Sequence, residues 1–411
     1  MLKKILFVHY GDEWIRGSER CALDLMSHLD HNKFVPVLWC NSDDMVKESI
    51  KLGITTEQDD FKQCTLPSSN LSKIHSIYQL VNKAIRLIDD YDIDLIHVNS
   101  VAPCQWMSIA ARIKNIPVLG HYHTQYQTRE RFLSLSHWVD EVVGVSKDVI
   151  KTYQKDGCNK DNCRVIYNGI DYHAFTNETP HDLDDMYGIK EDDFALVSVG
   201  SLIQRKGYDD LIKAIGLLVE QGMQVKCVII GGGPEEHTLK ELITQLSLDN
   251  HVFLAGQRYD VGRFYNSAFD AFISASRNEA FGLVNVEAAF CEKPVIAPDV
   301  DGLNEVFTPN VSAELFASND PEVIAQSIAK VIQNRDYLNT LKVEGTKLAY
   351  EKFTIERYVD QFESLYTELL NSETTSTPTL IEYGRSFIKG WQNRNRPNAT
   401  DALLESSGDL A

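Results

Sequence analysis

No two of the eight cysteines in this 411-residue chain stand in a CxxC spacing; the nearest pair is Cys158 and Cys163. That pattern reads as buried thiols in a reducing cytosol. Long apolar runs are also missing. The longest, FALVSVGSLI at 194–203, falls far short of the roughly 20 residues a membrane span needs. Positive charge is scarce as well: 40 Lys and Arg stand against 59 Asp and Glu, a net charge of −19. This argues against a nucleic-acid surface, which depends on Lys and Arg. It leaves room for a small phosphorylated ligand, which needs only one or two local cations. The opening MLKKILFVHYG lacks a small-residue cleavage site and reads as a first strand, not a signal peptide. The expectation is a soluble cytoplasmic protein.

What is present is a globular composition, 43% hydrophobic and 24% charged, on a chain too long for one core. Short apolar runs alternate with helical patterns. KILFVHY (4–10) precedes SERCALDLMSHL (18–29) and KFVPVLWC (33–40); DLIHVNS (94–100), IPVLGHYHT (116–124), EVVGVS (141–146) and CRVIYNGID (163–171) continue the series. This is the βαβ signature of a parallel sheet covered by helices. NETPHDLDDMYGI (177–189) reads as an acidic linker. The pattern then restarts with FALVSVGSL (194–202), VKCVIIGGG (225–233), HVFLAG (251–256), AFISAS (271–276) and PVIAP (294–298). The fold class expected is α/β, with two doubly wound Rossmann-like domains facing across a cleft and ligands at the carboxyl ends of the strands.

The domains are expected at 1–175 and 190–353, with a C-terminal helix at 354–370 returning to the first domain. Residues 371–411 read as linker and tail. The basic stretch YGRSFIKGWQNRNRPNAT (383–400) either packs on the protein's own acidic surface or lies peripherally on an anionic membrane.

SRNEAFGLVNVEAAFCEKPVIA (276–297) carries two glutamates eight positions apart, Glu279 and Glu287. Gly282 is a poor helix-interior residue, so a helix is expected to begin near Leu283. Glu279 then lies in the preceding loop, Glu287 in the early turns, and the helix N-terminus between them suits an anion. Carboxylates for hydroxyls beside a site for phosphate describe a nucleotide sugar. The stretch resembles the E-x7-E signature of the retaining glycosyltransferases of family 4, which have the GT-B architecture. VSVGSLIQRKGYDDLIKAI (197–215) resembles the family's Lys-Gly element, which implies that Lys206 binds the donor diphosphate. Ser201 stands where an arginine is usual, and the neighbouring Arg205 is a candidate replacement.

The resemblance covers about nine-tenths of the chain. It implies a donor-binding set of Gly17, Ser201, Arg205, Lys206, Gly232, Arg258, Tyr259, Glu279, Ala280, Phe281, Gly282, Leu283, Val284 and Glu287. Within it, Glu279 takes sugar hydroxyls and Glu287 the ribose, while FLAGQRYDVGRFYNSAFDAFISAS (253–276) resembles the segment that flanks the base, with Arg258 and Tyr259 as backbone-proximal candidates. RGSERCALDL (16–25) resembles the glycine loop and following glutamate, with Arg16 where a second glycine is usual. GHYHTQY (120–126) matches the segment with the active-site histidine at His123; His121, two positions earlier, is assigned to the other face of the run. His123, Lys206 and Glu279 are the expected catalytic residues.

The chemistry so implied is metal-independent, front-face transfer from a nucleotide-sugar donor, UDP preferred, to the hydroxyl of a sugar or lipid-linked saccharide. No cofactor is expected. Asp92-x-Asp94 and Asp299-x-Asp301 spell the metal motif of another glycosyltransferase fold, but one leads into a buried strand and the other sits in a turn. A GT-B epimerase, a phosphorylase and a silent sugar-nucleotide-binding protein remain open.

Overall fold

In a computed structural model of the protein, residues 2–11, 14–61, 71–300 and 302–372 are described. The basic stretch 383–400 lies outside them. The chain divides into two compact units, one running up to Ile166 and again from Gln361, the other Tyr167–Asp360. Residues 167–175 thus group with the second unit, where Ile170 bridges Thr354.

The first unit holds β1 Lys3–His9, β2 Phe34–Cys40, β3 Thr55–Gln58, β4 Leu95–Val98, β5 Val118–Tyr122, β6 Glu141–Gly144 and β7 Cys163–Val165. They form a parallel sheet in the order β3-β2-β1-β4-β5-β6-β7. The second unit holds β8 Phe194–Val199, β9 Val225–Ile230, β10 Val252–Gly256, β11 Ala271–Ile273, β12 Val295–Pro298 and β13 Glu314–Phe316. Their order is β10-β9-β8-β11-β12-β13, again parallel. A parallel sheet covered on both faces buries whole strands, which is why β1 and β8 read as continuous apolar runs. Each chain path winds outward from one strand and then reverses: between β1 and β4 in the first sheet, between β8 and β11 in the second. At such reversals the loops after neighbouring strands diverge and leave a crevice at the carboxyl ends.

Helices bury one stripe each against these sheets. In Tyr208–Glu220 the buried Leu211, Ile212, Ile215 and Leu218 fall at helical spacing and join the second unit's core. The polar segment 177–189, expected as linker, instead carries a helical turn, Leu183–Tyr187, capped by Asp182 whose carboxylate accepts from the N–H groups of Asp184 and Asp185. Strand β7 is also shorter than the apolar run suggested, ending at Val165.

The helix Ile355–Asn371 contributes its second half to the first unit. Phe362, Leu365 and Tyr366 are buried, and the Glu363 carboxylate accepts from the Asp30 N–H at 2.6 Å. Tyr366 Oη lies 2.6 Å from Nδ1 of His97, and both side chains are fully buried. Replacing Tyr366 with Phe would leave that ring nitrogen unpaired in a dry site, at a cost of about 1–3 kcal/mol. The expected outcome for Tyr366→Phe is a lowered urea midpoint at unchanged slope; an unchanged midpoint would show that the contact contributes nothing.

Candidate active site

Both crevices carry chemically capable side chains. In the second unit, β8 ends in a turn whose backbone is crowded. A Cβ on Gly231 would lie 1.9 Å from the Gly200 carbonyl oxygen, and one on Gly233 would lie 2.4 Å from that of Leu202. Gly232, the glycine singled out from the sequence, would make only ordinary contact there. The chain then forms a single turn, Gln204–Lys206, and Gly207 reverses it at φ 65° into the helix Tyr208–Glu220. A Cβ on Gly207 would lie 2.1 Å from the Ala275 carbonyl oxygen, so the close approach of the β8 and β11 loops requires glycine.

That approach brings Lys206 to Glu279. Lys206 Nζ donates to Glu279 Oε2 at 2.7 Å, and the two side chains are 14% and 15% exposed. Burial pushes the Glu279 carboxyl up, but the charges of Lys206 and Arg205, with hydrogen bonds from Lys206 and Ser276, outweigh it and hold it below the usual glutamate range. Arg205 Nη1 donates to the Asn278 carbonyl at 3.0 Å, so the guanidinium lies beside the same loop, while Ser201 remains in the turn after β8. Arg277, which the sequence reading missed, ties the two loops together. Its backbone N–H donates to the Arg205 carbonyl at 2.8 Å, and its guanidinium reaches Asp209 at 2.8 Å and Asp210 at 2.5 Å.

The next helix is Leu283–Phe290, entered through Gly282 at φ 84°. Glu279 therefore precedes it and Glu287 lies within it. Ala280 is held by Gly302, where a Cβ would lie 1.7 Å from the Ala280 carbonyl oxygen, and Gly302 N–H donates to the Glu279 carbonyl at 3.0 Å. Phe281 is buried against Phe353, whereas Leu283 and Val284 at the helix start are half-buried. The Glu287 carboxylate accepts from the buried Tyr265 hydroxyl at 2.9 Å, a partner the sequence did not reveal. After β10, Arg258 is committed to Asp260 through two bonds of 2.9 and 2.8 Å, and His181 joins the same carboxylate at 3.0 Å. Tyr259 beside it is 93% exposed.

In the first unit, Gly17 opens the helix Gly17–His28, and Arg16 stacks over Trp14 at 5.0 Å. His123 follows β5, with Nε2 3.0 Å from Asn99 Oδ1. Burial, reinforced by His9 and opposed by Glu19, pushes His123 down to about 3, so it is neutral at physiological pH. His121 is not on the other face: its ring centroid is 4.2 Å from that of His123, because residues two apart on an extended chain share a face. His121 Nδ1 lies 3.3 Å from His97 Nε2. Of the acidic pairs, Asp94 accepts from Lys3 Nζ at 2.7 Å and from the Lys4 N–H at 2.9 Å; Asp301 lies outside the described residues. Among the described residues no helix is long and apolar enough to cross a membrane, and no group of three His, Cys, Asp or Glu could hold a metal ion.

Comparison with known proteins identifies the family. The model of glycosyl transferases group 1 matches residues 182–348 and that of glycosyltransferase family 4 matches residues 15–173, which together take in most of the chain. The chain belongs to the family 4 glycosyltransferases, retaining enzymes of hexosyltransferase type with the GT-B fold. It is 25% identical over 308 residues to the N-acetyl-alpha-D-glucosaminyl L-malate synthase of Bacillus anthracis, covering 72% of this chain and 80% of that one. It is 23% identical to the alpha-monoglucosyldiacylglycerol synthase of Acholeplasma laidlawii, covering 71% and 79% of the two chains. Among solved structures, Anabaena HepE in complex with UDP and glucose superposes with a TM-score of 0.75 at 22% identity, over 89% of this chain and 99% of that one.

The depressed carboxyl of Glu279 has a measurable consequence. A carboxylate with a lowered folded-state value stabilises the fold above the ordinary glutamate value of 4.5 and loses that contribution as pH falls below it. The stability advantage of wild type over Glu279→Gln is expected to shrink as pH is lowered through that range. An advantage that stayed constant would contradict the pairing with Lys206.

Proposed function

We propose that this glycosyltransferase moves a hexosyl group from a UDP-sugar to the hydroxyl of a saccharide or glycolipid acceptor, in the cytoplasm and peripherally at the membrane face. The observation that carries the reading is the Lys206–Glu279 pair at the β8/β11 reversal, next to the start of the helix Leu283–Phe290. A half-buried ammonium can neutralise a diphosphate, the N–H groups of a helix start can bind its oxygens, and a carboxylate can accept from sugar hydroxyls. The UDP and glucose named with HepE support a uridine donor. The glycolipid synthase and a capsular polysaccharide glycosyltransferase of Staphylococcus aureus among the relatives support a cell-surface product.

In this reading Lys206 and the first turn of Leu283–Phe290 hold the diphosphate, with Arg205 beside them in place of the arginine that Ser201 replaces. Glu279 orients the sugar, and Glu287, fixed by Tyr265, takes the ribose. Tyr259 offers its exposed aromatic face to the base, while Arg258 is paired with Asp260 in the same loop. Gly17 and Gly232 allow backbone approach, and His123 is assigned to the transferred sugar. The bond from the anomeric carbon to the diphosphate oxygen breaks as the acceptor oxygen bonds on the same face. The electron pair leaves with UDP, whose oxygen takes the acceptor's proton. With Glu279 on hydroxyls and Glu287 on ribose, neither of these two carboxylates is left to act as a covalent nucleophile. Family 4 enzymes are generally metal-independent, and charge on the leaving group is here assigned to Lys206 and the helix start.

If Lys206 acts like one oxyanion donor, Lys206→Ala lowers turnover by about 10²–10³-fold. UDP release from UDP-sugars, measured in EDTA with acceptor present, checks this; equal turnover in the variant would sink the assignment, and activity abolished by EDTA would sink the metal-free mechanism.

A further inference from the structure

At the β1/β4 reversal a polar chain runs through four elements of the first unit. The Asn99 amide sits at its centre. Asn99 Nδ2 lies 3.1 Å from the Ser18 backbone carbonyl, which can only accept a hydrogen bond. The nitrogen must therefore occupy that side of the amide, and Oδ1 the side facing His123 Nε2 at 3.0 Å. An amide oxygen accepts and cannot donate, so the proton of His123 resides on Nε2. Because the ring is neutral, it carries one N–H only, and Nδ1 is left with its lone pair.

The orientation of Asn99 is itself braced. Its Nδ2 is 3.0 Å from His9 Nδ1, and His9 Nε2 is 2.8 Å from Glu19 Oε1. The other Glu19 oxygen accepts from the Arg16 N–H at 3.1 Å and the Ser18 hydroxyl at 3.0 Å. His9, Glu19 and Asn99 are all buried. Burial raises the Glu19 carboxyl, but its hydrogen bonds with His9 and Ser18 overcome it and hold it at about 2, so the anchor of the chain is an anion. Gly11 leaves space for it, since a Cβ there would lie 2.4 Å from Glu19 Oε1 and 2.5 Å from His9 Nε2.

We propose that Asn99 is a positioning residue: it fixes His123 as the Nε2–H tautomer, so that His123 offers Nδ1 to substrate as an acceptor for a sugar or acceptor hydroxyl. The proposal rests on the reading of His123 as a substrate-side group. It implies a specificity. The group met by His123 must carry a hydrogen, and an O-methyl ether at that position cannot supply one.

Nitrogen-15 NMR of the full chain, labelled at histidine and assigned with His123→Gln, reads the tautomer directly. In wild type Nε2 of His123 is expected protonated and Nδ1 bare. In Asn99→Leu and Asn99→Ala the bias is lost, and turnover of UDP-sugar falls about tenfold, the worth of one hydrogen bond. Wild-type His123 protonated on Nδ1, or an unchanged tautomer in a folded Asn99 variant, overturns the proposal. Should both variants fail to fold, the wild-type spectrum still decides. A transferring wild type with the Nδ1–H form sinks this inference alone, and a protein with the Nε2–H form that transfers no sugar sinks the functional reading alone.

Discussion

Lys206 and Glu279 stand 73 residues apart and meet because β8 and β11 are neighbours at the point where the sheet's winding reverses. The rest of the second unit's site depends on that meeting. Gly207 permits it by giving up a side chain where Ala275 passes, and Arg277 secures it from the outer side with Asp209 and Asp210. The helix Leu283–Phe290 begins only four residues past Glu279, so fixing the glutamate also aims the helix start.

An ion pair this buried is not a large source of stability by itself, because removing both charges from water offsets much of their attraction. Its value is positional. With Glu279 held as an anion, Lys206 is fixed at the β8/β11 reversal. A diphosphate can draw on the ammonium while the carboxylate turns to hydroxyls. A comparable pairing shapes the first unit, where Glu19 anchors a chain of polar contacts that ends at His123.

Much of the fold was legible because parallel strands buried on both faces are unbroken apolar runs. The strands that escaped notice are those lacking that mark. β3 is Thr55–Gln58, four residues without a large apolar side chain at a sheet edge, and β13 is only Glu314–Phe316. In the site, Lys206, Glu279 and Glu287 stood out because each lies in a short local motif. Arg277, Tyr265, His9 and Asn99 did not, since their roles consist of contacts with residues far off in sequence: Asn99 meets His9 across 90 positions. His121 was misplaced by a simple slip in period. Alternation sends neighbours to opposite faces and returns the second residue to the first.

The division of labour between Lys206 for phosphate and Glu279 for sugar is tested most directly by equilibrium titration. UDP and UDP-sugar would be titrated into wild type, Lys206→Ala and Glu279→Gln. If the assignment holds, Lys206→Ala loses affinity for both ligands. Glu279→Gln binds UDP at least as tightly as wild type, having shed a charge near the phosphates, but no longer prefers the UDP-sugar. UDP affinity untouched by Lys206→Ala, or a Glu279→Gln variant that keeps its full preference for the sugar, would contradict it.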